Sequence, residues 1–303
     1  MPLTNFPNGV SSFGMPVIGM GGSIPPTTGT VFFVSSDTGN ANNTGLRPDD
    51  ALATIDGAIN KCTASQGDII IVMPGHTETI SGATSLVMDV AGVSVIGLGQ
   101  GSLRPTLTYS ATASIITVSG ADCRLENLIL VGNVGDIVTG ISITATGDGC
   151  VLKDIEIRDG AADKEFLLPI AIAAAAGDVV IDGLRFFGLA GGATSCIAAA
   201  GAADRFVLKN SLIIGDFSQA AVKLDAAASV GILIDNNRVT NIDTDAGLGI
   251  DAHTNTTGWM SNNYVMNLKN GVVGLSGPAM AFCENYGTNA VSASGIILPG
   301  VDS

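Results

Sequence analysis

Carboxylates are the side chains here whose type and spacing could do chemistry. Asp122, Asp148, Asp178 and Asp204 each stand one or two residues before a short apolar segment. Stacked in a column, such groups could ligate a hard cation such as calcium, and two of them about 5 to 10 Å apart could serve glycoside cleavage. An Asp at such a place also opens a turn by accepting a hydrogen bond from its own backbone. Ser229 and Thr257 take equivalent places later in the chain, so the turn reading is preferred and no metal site is assigned. Asp251 and His253 are two apart on a predicted strand and would share one face. No nucleophile motif accompanies them: G-x-S-x-G is absent, and the cysteines sit among apolar residues. His253 and His76 are read as surface or loop histidines. The clusters Gly19-Met20-Gly21-Gly22 and Gly97-Leu98-Gly99-Gln100-Gly101 lack the Lys/Ser/Thr setting of a phosphate loop and are read as turns. No catalytic residue and no cofactor is expected.

What must position these groups is a long, weakly charged chain. It has 303 residues, 46% of them apolar, with 40 glycines and only 5% aromatic residues, so it needs many turns and few bulky packers. Mean hydropathy is +0.45, yet every apolar run is broken by Gly, Asp or Asn well before the ~18 residues of a membrane helix. Thirteen Lys and Arg against 27 Asp and Glu give a net charge of -14, which disfavours nucleic acid and anionic membranes as partners. Cys62, Cys123, Cys150, Cys196 and Cys283 are odd in number and form no C-x-x-C pair, as expected of small buried residues made in a reducing cytosol. The first twenty residues lack the basic and apolar regions of a secretory signal, so synthesis and assembly in a cytoplasm are expected.

Residues 1–30 mix five prolines with Leu3, Phe6, Phe13, Met15, Val17, Ile18 and Met20. A plain linker has no use for such side chains, so an extended docking arm is predicted, with Phe6, Phe13, Met15, Val17 and Ile18 as contact residues. In residues 31–75 the pattern predicts a strand at Val31–Val34, an amphipathic helix of about four turns over Arg47–Cys62, and a strand at Ile69–Met73. Residues 76–303 form the body. Beyond residue 90 it repeats: segments ending at Gly97, Asn127, Asp154, Gly183, Asn210, Asn236, Asn262 and Asn285 align without gaps. A second strand lies between copies, as at Ile141–Ile143 and Ile170–Ile172, so each repeat is expected to hold two or three short strands. With no helix inside the period, strands must pair with their equivalents one repeat away. The fold class is therefore all-β: a single-stranded right-handed parallel β-helix with an N-terminal capping helix and an extended arm. Roughly nine rungs at about 4.8 Å make a rod about 40 Å long. Asn127, Asn210, Asn236, Asn262 and Asn285 are assigned to a structural turn ladder in left-handed geometry, a demand that Gly97 and Gly183 also meet. Runs of Ala at 171–176, 198–203 and 226–228 suggest a narrow middle to the rod. Tyr109, Trp259, Tyr264 and Tyr286 are expected in the core or in stacks.

Val31–Val34, the Gly-rich loop, Arg47–Ile59 and Gly67–Gly75 resemble the entry of pectate-lyase-like right-handed β-helix proteins, whose helix caps the first rung. The opening, Met1 to Gly19, is similar to the starts of virion structural proteins of tailed bacteriophages. That second resemblance implies a particle component rather than an enzyme. The function expected is a non-enzymatic virion protein, a head decoration or cement protein anchored by its arm. Its partners would be the major capsid protein or other virion proteins, and it would form a homotrimer. The alternative is a tail spike or fibre that binds, and perhaps cleaves, a bacterial surface polysaccharide. Turns short throughout are expected to leave no walls for a groove.

Overall fold

The computed structural model describes residues 11–12, 15–16, 27–188, 192–244, 248–269, 274–288 and 294–297. From residue 31 onward the chain coils as a right-handed parallel β-helix. Each turn lays down three short strands, one more than the sequence pattern located. Sheet one runs from Leu86–Met88 through Ile141–Ile143 to Ile250–Ala252. Sheet two runs from Val31–Val34 through Arg124–Glu126 to Gly258–Ser261. Sheet three, the one missed, runs from Thr77–Ile80 through Glu156–Asp159 to Tyr286–Thr288. About seven turns are complete, the first opening at Leu86 and the last closing at Asn267. The nine expected rungs included both incomplete ends. In the final turn Leu275–Cys283 passes from sheet one to sheet two as one strand.

Register is held by side chains that alternate in and out with period two. Val95, Leu125, Leu152, Ile181, Leu208 and Ile234 stack on successive strands of sheet two and are buried. A slip of one residue would put the whole column in water. Aromatics fill the lumen beside sheet three: Tyr109 and Phe166 meet edge to face at 4.9 Å, and Phe186 packs on Phe217 at 5.7 Å. The Tyr109 hydroxyl donates to the Gly140 carbonyl at 2.8 Å, which satisfies its one buried polar atom.

The cap is shorter than expected. Pro48–Asp50 forms a single 3-10 turn, and the α-helix is confined to Ile55–Ile59. Between them Leu52 is extended, its N–H donating to Phe33 O, because the open edge of Val31–Val34 competes for that backbone. Thr54 then caps the helix by accepting from Gly57 N. Ile55, Ala58 and Ile59 still close the end of the lumen.

The corner between sheets two and three is left-handed at Asn127, Asp154, Gly183, Asn210, Asn236 and Asn262, as the repeat implied. It departs at both ends. Gly97 is not left-handed; a Cβ there would lie 2.3 Å from Asn127 O, so close approach excludes a side chain. At the other end Glu284 takes the left-handed position and Asn285 the next one, because the last step is one residue shorter than the alignment assumed. Asn285 instead completes an inner ladder. Its Oδ1 accepts from Asn263 N and Nδ2, Asn263 Oδ1 accepts likewise from Asn237, and Asn237 Oδ1 accepts from Ser211 N. The alanine runs are split between core and surface: Ala176, Ala199 and Ala203 are buried. Ala174, Ala175, Ala200, Ala226 and Ala228 are exposed at the corner after sheet one, while Ile170, Ile172, Ile197 and Phe206 fill the lumen there.

Candidate functional site

The outer surface of sheet three carries two columns of side chains in register. One reads Glu156, Arg185, Leu212, Arg238, Tyr264, Tyr286 and the other Arg158, Phe187, Ile214, Thr240, Met266. Five strand steps of about 4.8 Å separate Glu156 from Tyr286, roughly 24 Å along the rod. A groove opens at each end of these columns, contrary to the expectation of bare walls.

The first groove has a volume of about 800 Å³ and lies between the loop of residues 99–104, which carries Arg104, and the strands carrying Glu156, Arg158 and Arg185. Arg104 is built in: it donates to Glu156 Oε2 at 3.0 Å and to the carbonyls of Leu128 at 3.1 Å and Asp154 at 2.6 Å. Arg158 reaches Glu156 Oε1 only at 3.5 Å, and Arg185 sits 5.6 Å from the Phe187 ring centre. Gly183, left-handed at φ 76°, leaves the corner open beside them.

The second groove, about 690 Å³, is lined by Arg238, Thr240, Tyr264, Met266 and Tyr286. The Tyr264 and Tyr286 rings stack at 5.2 Å with 16° between planes. The expectation of stacking holds for this pair, but the core placement fails for Trp259, Tyr264 and Tyr286. All three are 42–58% exposed, and Met266 and Leu268 beside them are 41% and 45% exposed. Of the Tyr and Trp residues only Tyr109 is buried. The signal was available: Val265 must point inward in a period-two strand, so Tyr264 and Met266 must point out.

The four aspartates stand at corners, but the bonds they accept come from the next turn of the helix and not from their own backbone. Asp148 accepts from Gly177 N at 2.7 Å, Asp204 accepts from Val230 N at 2.8 Å, and Arg205 grips both oxygens of Asp178 at 2.5 and 2.6 Å. Asp122 is itself left-handed. Among the described residues no three His, Cys, Asp or Glu side chains converge.

Asp251 lies on the outside of sheet one between Lys223 and Ser276, with Asp225 nearby. Burial pushes its carboxyl upward, opposed by the Ser276 hydrogen bond and reinforced by the Asp225 charge. Lys223 donates to Asp225 at 2.5 Å. The predicted strand ends at Ala252, so His253 does not continue the Asp251 face; it lies in the loop that follows, where its Nδ1 accepts from Asn255 N. His76 is not a surface residue: it is buried with Nε2 3.1 Å from Glu78 Oε2, while Glu78 accepts from Ile55 N at the helix start.

Cys123, Cys150 and Cys196 are buried, Cys62 and Cys283 partly so, and all are free thiols. Burial holds the Cys62 thiol up at about 12. Of the arm contact residues, Phe6, Phe13, Val17 and Ile18 lie outside the described residues; Met15–Pro16 pairs antiparallel with Ser11–Ser12.

No family model matches the sequence, and no curated protein matches it. Solved structures do. Pectin methylesterase PemA from Erwinia chrysanthemi aligns with a TM-score of 0.57 at 14% identity, over 88% of this chain and 92% of that one. A rhamnogalacturonan lyase and the pectate lyase Pel9A align at TM-scores of 0.43, with 12% and 13% identity, over 89% of this chain and 87% and 80% of theirs. The PemA likeness is one of fold, and it agrees with the pectate-lyase-like architecture read from the N-terminal section.

Proposed function

We propose that this protein binds an extended polysaccharide along the outer surface of sheet three, as a non-enzymatic surface component of a tailed-phage particle. One observation carries the binding half. A single register column joins an arginine-lined groove to a pair of exposed stacked tyrosines, which gives a linear, repeating surface to a linear, repeating ligand. Aromatic rings with a polar tip offer apolar faces to sugar C–H groups while staying wet at the hydroxyl. The shared fold with a pectin methylesterase points toward the same ligand class. The non-enzymatic part of the reading is supported by Glu156, which is engaged by Arg104 and Arg158.

The particle half rests on the similarity of residues 1–19 to tailed-phage virion proteins. In that setting the apolar arm anchors the rod to the major capsid protein in the manner of a head decoration protein, as a homotrimer. Replacing Tyr264 and Tyr286 together by Ala is expected to weaken binding to host surface polysaccharide by tenfold or more, on the order of 1.4 kcal/mol, measured by calorimetry. Unchanged binding contradicts the sheet-three reading. Particles grown with residues 1–30 deleted should lack the protein, and retention contradicts the arm as anchor.

A second reading, cleavage of a glycan lying on sheet one instead of sheet three, is favoured by Asp251. Its raised carboxyl, with Asp225 just past the end of the neighbouring strand, is what a general acid needs. Release of reducing ends from the polysaccharide, abolished by Asp251→Asn, would establish it; no release from any host glycan removes it.

A further inference from the structure

We infer that the first groove of sheet three is a site for an oxyanion, the carboxylate or sulfate ester of a charged sugar unit, held between Arg158 and Arg185. This rests on the polysaccharide reading above and names the ligand's chemistry. The chain carries only 13 Lys and Arg against 27 acids, yet Arg104, Arg158 and Arg185 line this one groove. Its carboxylates, Asp154 and Glu156, are already engaged. Asp154 faces Lys153 Nζ at 3.3 Å, and Glu156 holds Arg104 tightly and Arg158 loosely.

Arg185 lies directly across the strand pair from Glu156 but makes no ion pair among the described residues. Instead it stands over Phe187, a placement that leaves its N–H fork open while the ring steadies the guanidinium. Arg104 adds a second sign: its Nε is buried with no hydrogen-bond partner in the groove wall. Arg158, tied to Glu156 only at 3.5 Å, and Arg185 keep N–H groups without acceptors in a groove of about 800 Å³, and they match a planar or tetrahedral oxyanion that accepts from both. Phe187 supplies apolar wall for the ring that carries the anion. A body charge of -14 repels polyanions at a distance, so capture there depends on these short-range contacts and not on a general positive field.

Calorimetry on the full chain uses three oligosaccharides of one length: a hexuronate oligomer, a sulfated neutral oligomer and the uncharged parent. At least one charged arm is expected to bind tenfold or more tighter than the uncharged one, and the stronger arm tells carboxylate from sulfate. Arg158→Ala with Arg185→Ala should erase that preference, bringing the charged arms down by tenfold or more to the level of the uncharged one. Replacement by Lys should restore only part of it, since a point charge does not reproduce the fork. Both side chains are exposed, so the variants should keep the wild-type melting curve. Equal binding of all three arms, or a preference that survives both Ala substitutions, overturns the oxyanion site. If the Tyr264→Ala variant at the same time weakens every arm, the polysaccharide reading stands without it. No binding of any oligosaccharide by the wild type overturns both.

Discussion

Single residues set which polar atoms can be buried in this rod. Asn237 and Asn263 are almost fully buried, and each answers a backbone N–H one turn away with a carbonyl oxygen. Asn263→Ala would strand Asn237 N and remove one of the two acceptors of Asn237 Nδ2, which keeps Leu208 O, so we expect a loss of about 2–4 kcal/mol, read as a lower urea midpoint. The outer column obeys a different rule. Asn262→Gly should cost little and Asn262→Ala about 1–2 kcal/mol, because the left-handed backbone dominates there and the side chain adds one exposed hydrogen bond, to Asp235 Oδ1 at 2.8 Å. Glu126 adds a pH-dependent contribution. Burial raises its carboxyl, but hydrogen bonds from Lys153 and Arg124 outweigh that, and the net shift is downward. A depressed acid contributes stability above its unfolded value and loses it as pH falls through the folded one. Glu126→Gln should therefore lower the melting temperature at neutral pH, with the difference from wild type vanishing in strong acid. The αL asparagines were legible because Asn recurs beside Gly at one place in the period. The inner ladder was not, since it shares its position with Leu128, Ile155 and Leu184 in earlier turns and shows no common residue type.

Elements differ in how far their local pattern decides them. Strands of sheets one and two were legible because their buried triplets sit between Gly, Asp and Asn corners. Sheet three was harder to see: in Glu156–Asp159 and Arg238–Asn241 the outward residues are Glu156, Arg158, Arg238 and Thr240, so the apolar content of those strands drops to the single inward residue. The helix over Arg47–Cys62 had the right apolar spacing, but tertiary pairing of Leu52 with the first strand overrode propensity. The same inward residues carry the packing energy. Phe186 is fully buried against Phe217, and Phe186→Ala should cost about 3–5 kcal/mol by leaving a cavity under the charged groove. Equilibrium unfolding checks the size of that loss.

At the scale of the whole molecule, stacking converts a local repeat into a long surface. Each turn contacts its neighbours alone, so the outside is free to vary, and it varies in an ordered way along sheet three: charged at Glu156 to Arg185, apolar at Leu212 and Ile214, aromatic at Tyr264 and Tyr286. The charge of -14 and the 40 glycines signalled a solvated solenoid but said nothing about which face meets a ligand. That choice needed the strand register, which places Arg185 and Tyr264 in one column although 79 residues separate them in sequence. The most direct measurement is a crystal structure of the protein soaked with an oligosaccharide of its bound polysaccharide. Sugar density lying over sheet three, between Arg158 and Tyr286, is the result predicted. Density over Lys223 and Asp251 on sheet one, with sheet three bare, would contradict it.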